Sequence, residues 1–370
     1  MNIPIRISLT SICPVHIHAV SKVTTWQWSI LKSAFKALMI LLLFLLLTIP
    51  STAAGEIKSL FRIGTGGSTG VYYPIGKLIA EGLTKPVEEK NIIDTSVKGV
   101  PGIIGVAQNS AGSIENVRDV VSGQIEAGLV QADVAAWAFR AEHAFAGNPS
   151  GRALRAVASL YPELFQLVTR RDANIRSVPD IRGKRISIDE LGSGTLSVVR
   201  IVLASYGLSE NDFSPVYLKP VFTHDKIAKN ELQGFAMMAG APMKAVTQLS
   251  DTGLFLVPID LKKASEISVR FPYLVPGKIP SGIYSGIPET PTLQVYALLV
   301  VSAESSEDLI YKVTTALWSE RTLSLLQQGH PMGKIISPET ALTGLSIPLH
   351  AGAERFYREK GLLLKGSRSP

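Results

Sequence analysis

Residues 57–70 read IKSLFRIGTGGSTG, and this stretch decides the fold. Its first half, Ile57–Ile63, predicts a β-strand that runs directly into a turn with four glycines, Gly64–Gly70. A helix is expected next, because Pro74 suits the first turn of a helix, where its missing N–H costs nothing. Apolar residues then recur at helical spacing from Ile75 to Leu83. The stretch therefore predicts a strand, a glycine turn and a helix in succession.

The same alternation continues along the chain. Further strands are predicted at Ile92–Val97, Ala127–Val130, Leu154–Leu160, Leu164–Thr169, Lys184–Ile188, Gly234–Met238, Leu254–Ile259 and Leu293–Ser302. Helices are predicted at Ser113–Ser122, Ala132–Ala141 and Glu307–Gln327, and another follows a second glycine turn, Gly192–Thr195. Phe271–Pro291 is rich in proline and glycine and predicts a long surface loop. Strands that alternate with helices predict an α/β fold of parallel sheets with helices on both faces.

The two glycine turns are the strongest candidates for ligand contact. Glycines let the backbone approach a ligand closely, and consecutive N–H groups at a helix start attract anions. Gly64–Gly70 lacks the Gly-Lys-Ser/Thr ending of a P-loop, and Thr69 stands where the dinucleotide-binding GxGxxG pattern needs a glycine. A plain tight connection between strand and helix is the alternative for each turn. Together the two turns suit a molecule with a carboxylate at each end.

Polar residues at two predicted strand and helix ends are further candidates. Ser113 either caps the helix that it begins or faces the cleft, and Asn116 either belongs to that helix alone or projects toward the ligand as a neutral donor. Gln131 follows a buried strand, where polar groups line a cleft, so we expect it to contact the ligand. For Asp133, two residues later, we expect a helix cap.

Two pairs of neighbouring residues could have an ordinary structural role instead of a role in binding. Tyr72 and Tyr73 lie just inside the first predicted helix, where most tyrosines belong to the core, and we expect one of the two to line the cleft. Asp189 and Glu190 are adjacent and tend to point apart, so surface solvation is the better interpretation of both.

Composition places the chain among globular proteins and gives no support to nucleic-acid binding. Hydrophobic residues make up 46% of its 370 residues and charged residues 18%, which excludes a disordered chain. The formal net charge is +7, but four of the basic residues and none of the acidic ones precede residue 55, which leaves +3 for the rest. A balance this even lacks the basic stripe expected of a nucleic-acid-binding face.

The N-terminal segment predicts export. Ala37–Ile49 is an unbroken apolar run that follows Lys32 and Lys36 and precedes small residues suited to cleavage after Ala54. We therefore predict that residues 1–54 are a signal peptide with a long n-region and that the protein is periplasmic. An uncleaved membrane anchor is the alternative. The only cysteine, Cys13, lies in this segment, so the mature protein is expected to lack disulfides.

Patterns typical of enzymes are missing from the sequence. The four histidines beyond residue 54 stand alone, without a metal-binding spacing such as HExxH. No cysteine nucleophile follows the signal segment. The sequence therefore predicts a protein that is not an enzyme and needs no cofactor and no metal.

Taken in order, these stretches resemble the TAXI group of TRAP-transporter solute receptors, which are related to type II periplasmic binding proteins. The matching stretches are Ile63–Pro74, Gly112–Val117, Leu129–Val134, Ala158–Pro162, Val178–Ile186, Gly192–Thr195 and Pro348–Gly361. The resemblance extends over about 57–361. It implies a monomeric two-lobed clamshell, each lobe a mainly parallel sheet flanked by helices, with lobe I at 57–168 plus 292–370 and lobe II at 169–291.

The resemblance also implies a ligand and a partner. The ligand would be a small organic acid, such as glutamate or a C4–C5 dicarboxylate like 2-oxoglutarate, delivered to TRAP membrane permease subunits. A periplasmic sensor that feeds a signalling partner is the alternative. The implied ligand-binding residues are Gly66, Gly67, Ser68, Tyr72, Tyr73, Ser113, Asn116, Gln131, Ser193, Gly194 and Thr195. Two departures from the group concern specificity: the acidic pair Asp189 and Glu190, and Ala241 in place of a common aromatic.

Overall fold

The computed structural model describes residues 59–84 and 99–364, together with residues 28, 30 and 32–39. By its internal contacts the chain divides into two units, Met1–Ile57 and Lys58–Pro370. In the first unit residues 32–39 are helical and exposed, whereas most of the predicted apolar run and its cleavage site lie outside the described residues. The predicted strand Ile92–Val97 also lies outside them. Within the described residues no helix has both the length and the apolar character needed to cross a membrane.

Strands and helices alternate through the second unit. The strands are β1 (Ser59–Gly64), β2 (Ile103–Gln108), β3 (Ala127–Gln131), β4 (Leu154–Arg170), β5 (Arg185–Ser187), β6 (Ser214–Val216), β7 (Gly234–Ala239), β8 (Leu254–Val257), β9 (Val275–Ile279) and β10 (Thr290–Ser302). The helices are α1 (Tyr72–Leu83), α2 (Ser113–Val121), α3 (Ala132–Arg140), α4 (Gly194–Ser205), α5 (His224–Ala228), α6 (Lys244–Thr247), α7 (Leu261–Arg270), α8 (Glu307–Leu317), α9 (Glu320–Gly329) and α10 (Ala351–Glu359).

All ten of these strands belong to one sheet with two parallel groups. The strand order is β2-β1-β3-β10-β4-β7-β5-β6, with β8 beside β4 and β9 beside β10. β1 is parallel to β2 and β3 in a first group, and β5 is parallel to β6 and β7 in a second. The long strands β4 and β10 run antiparallel to each other and join the groups. The predicted α/β fold, with mainly parallel strands and flanking helices, is confirmed.

The strand β4 differs from the sequence prediction. Two extended runs divided at Tyr161 and Pro162 were expected, but the structure has one strand of 17 residues. Proline lacks an N–H and disrupts a regular ladder, yet the pairing of β4 with β10 shifts register close to this point and accommodates it. Since the chain passes between the two parallel groups only along β4 and β10 within the described residues, this irregular stretch lies at the junction of the groups.

Two predictions in the C-terminal third are also wrong in detail. The helix expected over Glu307–Gln327 is two helices, α8 and α9, because Ser319 begins a new helix by accepting a hydrogen bond from the Thr322 N–H at 3.3 Å. The predicted loop Phe271–Pro291 contains β9, which pairs with the start of β10.

Candidate ligand-binding site

A pocket lies at the carboxyl ends of the parallel strands in both groups. Its lining residues come from the ends of β1, β2 and β3 and the loops after them in the first group, and from β5, β6 and β7 in the same way in the second. Glu163 enters the lining from the middle of β4. In open α/β sheets this edge is where ligands bind. The cavity is small, about 30 Å³, which is space for one or two water molecules.

Most of the residues implied by the resemblance meet at this pocket. Those that line it are Gly66, Gly67, Tyr72, Ser113, Gln131, Ser193, Gly194 and Thr195. They come from both parallel groups, because the first glycine turn follows β1 and the second follows β5. Their assignment to ligand binding stays a prediction.

Three of the implied residues lie elsewhere. Ser68 is exposed and lines a surface groove, and Tyr73 is half-buried outside the pocket lining. Asn116 is fully buried, and its amide donates to the carbonyl oxygens of Thr65 and Leu129, both at 2.8 Å. Asn116 therefore braces the first glycine turn against β3 instead of projecting into the cavity.

The second glycine turn presents unpaired backbone donors to the pocket. Ser193 caps α4, since its Oγ accepts a hydrogen bond from the Leu196 N–H at 3.1 Å. The N–H groups of Gly194 and Thr195, in the first turn of α4, have no hydrogen-bond partner among the described residues. A helix N-terminus of this kind carries partial positive charge and favours an anion.

The first glycine turn offers the same chemistry from the other group. The N–H groups of Gly66 and Gly67 likewise have no partner within the described part of the chain. Gly70 donates to the Gly67 carbonyl at 3.1 Å, which closes the turn before α1 begins at Tyr72. Residues with unpaired backbone N–H groups thus line one cavity from both parallel groups.

Four side chains form the pocket floor: Tyr72, Ser113, Gln131 and Glu163. The Tyr72 hydroxyl donates to Glu163 Oε2 at 2.9 Å and lies 3.4 Å from Ser113 Oγ. Ser113 Oγ accepts from the Gln131 N–H at 3.1 Å, so Ser113 supports the floor and does not cap α2. Gln131 Oε1 is buried and has no hydrogen-bond partner among the described residues. The floor therefore retains an unused acceptor.

Burial dominates the electrostatics of the floor. It raises the pKa of Glu163 well above its usual range, against the opposing effect of the Tyr72 hydrogen bond, and the nearby Asp133 raises it further. Burial and the charge of Glu163 raise the pKa of Tyr72. The proton on Glu163 is therefore held strongly when no positive charge lies beside it.

Asp133 and Asp189 differ from their sequence interpretations. Asp133 is not a helix cap: it is 1% exposed in the first turn of α3, and neither carboxylate oxygen has a hydrogen-bond partner among the described residues. Burial raises its pKa to about 7. Asp189 is 4% exposed and lines the pocket, where burial raises its pKa to about 6 despite the hydrogen bond from the Glu190 N–H. Surface solvation is therefore wrong for Asp189.

Lys219 is the only basic side chain in the described pocket lining. Its Nζ lies 2.8 Å from Glu190 Oε1, so the Glu190 carboxylate is paired rather than freely solvated. This pair connects the loop after β6 with the turn that precedes α4.

Direct contacts join the two parallel groups beside the pocket. The Gly192 carbonyl accepts hydrogen bonds from the N–H groups of Ile114 and Glu115 at 3.1 and 3.2 Å, at the start of α2. On the far side the Ala245 N–H donates to the Thr69 carbonyl at 3.2 Å. Because these donors and acceptors come from opposite groups, the contacts hold the pocket closed.

Sequence reasoning missed several lining residues. They include Glu163, Asp189, Lys219 and Met237–Ala239. Glu163 had a usable signal, because an acidic residue between two strongly apolar runs is costly to bury unless it has a function or a partner. Lys219 had no such signal in the sequence, since the short strand β6 before it contains a proline and resembles a loop.

A model of the NMT1-like family matches residues 63–361. The chain belongs to the NMT1-like family. The match includes both glycine turns and every residue of the pocket lining.

Several solved structures resemble this NMT1-like chain at low identity. The periplasmic aliphatic sulphonate binding protein of Escherichia coli is 14% identical, with 81% of this chain and 87% of that chain covered and a TM-score of 0.40. An alkanesulfonate-binding protein of Xanthomonas axonopodis bound to MOPS is 16% identical, with 84% and 96% covered and a TM-score of 0.40. A putative L-cystine ABC transporter protein of Listeria monocytogenes is 14% identical, with 76% and 99% covered and a TM-score of 0.44.

The described part of this NMT1-like chain contains no cluster of side chains that would form a metal site. No group of three or more His, Cys, Asp or Glu side chains there is arranged to hold a metal ion. What the pocket offers is backbone N–H donors on two sides and carboxyl and amide oxygens on its floor.

Proposed function

We propose that this protein is an extracytoplasmic solute-binding receptor of the TAXI group, which captures a small carboxylate and delivers it to the membrane permease of a TRAP-type transporter. Membership of the NMT1-like family over residues 63–361 is compatible with a binding role. The receptor performs no chemistry on its ligand. The backbone donors of the pocket support the carboxylate class that the resemblance implies.

One observation carries the proposal: residues with unpaired backbone N–H groups line the same cavity from both parallel groups. Gly66 and Gly67 belong to the turn after β1, and Gly194 and Thr195 to the turn after β5. A carboxylate accepts several hydrogen bonds at once, and the partial positive charge of a helix N-terminus stabilises it. We assign the ligand carboxylate to these donors.

Capture requires the pocket to open and close. A cavity of about 30 Å³ is too small for a molecule of several carbon atoms, so we infer that the two groups separate to admit the ligand. We propose that they form two lobes, 57–168 plus 292–370 and 169–291, that hinge about β4 and β10. Two strands can absorb such a motion through small changes in backbone angles, as in other hinged binding proteins.

The test of binding is a thermal-shift screen of the purified mature protein against C4–C6 mono- and dicarboxylates and amino acids. A ligand at 100 times its dissociation constant stabilises the folded state by about 2.7 kcal/mol, which corresponds to a rise of several degrees in Tm. Isothermal titration would then give the stoichiometry, expected to be one. If no organic acid raises the Tm, the carboxylate assignment is wrong.

Delivery needs a separate experiment. Proteoliposomes that contain the cognate permease should take up radiolabelled ligand only when this receptor and an ion gradient are both supplied. Uptake that requires ATP hydrolysis and ignores the ion gradient would contradict the TRAP assignment while leaving the binding role intact.

A further inference from the structure

The pocket floor is built from acceptors that lack donors. Gln131 is 3% exposed, and its Oε1 has no hydrogen-bond partner among the described residues. Glu163 is 1% exposed, and the Tyr72 hydroxyl is the one hydrogen-bond donor that the described residues offer to it. A buried acceptor without a donor costs free energy, so the floor is suited to a group that brings several hydrogens.

The charges around the pocket floor also favour a ligand group that carries hydrogens and positive charge. Glu163 has no Lys, Arg or His within ion-pair distance in the described part of the chain. Lys219, the one base in the lining, is engaged by Glu190. Asp133 lies near Glu163, since its charge acts on that carboxyl, and it adds a second acid whose oxygens have no hydrogen-bond partner among the described residues. An anionic group placed on this floor would meet acids rather than bases.

Asp189 is a different case. Its carboxylate accepts from the Glu190 N–H at 3.0 Å and interacts with the Ser193 and Thr195 side chains at the start of α4. It thereby stabilises the turn that carries the backbone donors. Glu163 has no comparable structural role, because it lies within a strand and stabilises neither a helix cap nor a turn.

We propose that Glu163 and Gln131 form a subsite for a protonated nitrogen, so that the ligand is an amino acid or another amino-carboxylate and not a dicarboxylate. An ammonium group has three donors and no acceptor, which matches the carboxylate and the unpaired amide oxygen of the floor. The ammonium supplies the positive counter-charge that is missing beside Glu163. The carboxylate of the same molecule lies at the glycine turns. The inference rests on the proposed function, because it takes the carboxylate position from there.

The experiment compares each amino acid with probes of the same carbon skeleton that lack the amino nitrogen. Dissociation constants are measured by isothermal titration for L-glutamate against glutarate and 2-oxoglutarate, L-aspartate against succinate, and L-leucine against 4-methylpentanoate. At least one amino acid is expected to bind roughly 30-fold or more tightly than its partner without nitrogen, the loss typical of an unpaired buried charge. Glu163→Gln keeps the size of the side chain and removes its charge, so it should reduce that ratio to within a few-fold of one.

The control variant is Glu142→Gln, which removes the same charge from an exposed position of the same parallel group. It should leave the ratio unchanged. Because the ratio compares two probes on one protein sample, a loss of folded protein in either variant does not alter it.

Each outcome decides one proposal. Binding of a dicarboxylate as tight as that of its amino acid, or a ratio that survives Glu163→Gln, overturns the nitrogen subsite and leaves a neutral, protonated Glu163 that only holds Tyr72. Absence of binding by every probe in both classes contradicts the receptor proposal itself.

Discussion

At the scale of single residues, Asp133 has surroundings that disfavour a charge. Its carboxyl is buried in the first turn of α3 without a hydrogen-bonding side chain. The helix N-terminus favours its charged form, but burial outweighs that effect and raises its pKa to about 7. Folding therefore opposes ionisation of this residue.

The pH dependence of stability follows from that shift. The folded pKa of about 7 lies above the ordinary aspartate value of 3.8, so between these values the folded state holds a proton that the unfolded state has lost. Stability contributed by Asp133 is thus greatest at low pH and falls as the pH rises, by up to about 1.4 kcal/mol per unit, until it levels above the folded pKa.

We therefore expect Asp133→Asn to flatten the loss of stability between pH 5 and pH 8. Urea denaturation at several pH values measures the free energy of unfolding of both proteins. Part of the slope should remain, because burial also raises the pKa of Glu163 and of Asp189. The exposed Asp251 supplies the control, since Asp251→Asn should leave the slope as it is. If the fall of stability with pH is unchanged in Asp133→Asn, the raised pKa of Asp133 is wrong.

Single residues were only partly predictable from the sequence. The glycine turns could be singled out because their freedom of backbone and their place before a helix are local properties, and their role in binding stays a prediction. Asn116 could not, because its bonds to Thr65 and Leu129 depend on how β1 and β3 pair. Glu163 had a signal as an acid between apolar runs, but only the assembled sheet shows that the middle of β4 reaches the pocket.

At the scale of elements, α4 holds the donors of the second glycine turn. Ser193 caps this helix through its Oγ, and Ser306 caps α8 in the same way by accepting from the Leu309 N–H at 3.2 Å. The two caps are chemically equivalent, but only the first lies in the pocket lining.

This pair gives a matched test of the site. Ser193→Ala and Ser306→Ala should each cost about 1 kcal/mol of stability, the usual loss for a helix cap, as measured by urea denaturation. Only Ser193→Ala should also weaken ligand binding, because the N–H groups of Gly194 and Thr195 lose their fixed direction. Equal affinities in both variants would exclude α4 from the site.

Element types were predicted better than element ends. Periodicity identified β3, α2 and α3 nearly to the residue because each is short and bounded by turns or polar residues. The continuity of β4 could not be predicted, since Pro162 indicates a break and only pairing with β10 compensates for it. The division between α8 and α9 had a local signal in Ser319, the type of residue that begins a helix.

At the scale of the whole molecule, the hydrogen bonds between the two parallel groups should report on closure. The N–H groups of Ile114, Glu115 and Ala245 donate across the junction, so they are released when the groups separate. Amides of this kind exchange through local opening rather than through global unfolding.

Hydrogen exchange followed by mass spectrometry should therefore respond to the ligand in a specific pattern. Saturating ligand is expected to slow exchange in peptides that span 111–118 and 243–249. A peptide that spans α10, which contacts α8 within the first group, should change much less. Uniform slowing across all peptides would indicate general stabilisation and contradict hinged closure.

The contact at Gly192 also makes the protein a starting point for an optical sensor. Residues 55–370 contain no cysteine, because the only one in the chain is Cys13. Leu191 adjoins Gly192 and is 70% exposed, so Leu191→Cys would place a single reactive thiol at the rim where the groups meet. A polarity-sensitive fluorophore on that thiol would change its emission as the rim closes, and the brightness would follow the concentration of solute.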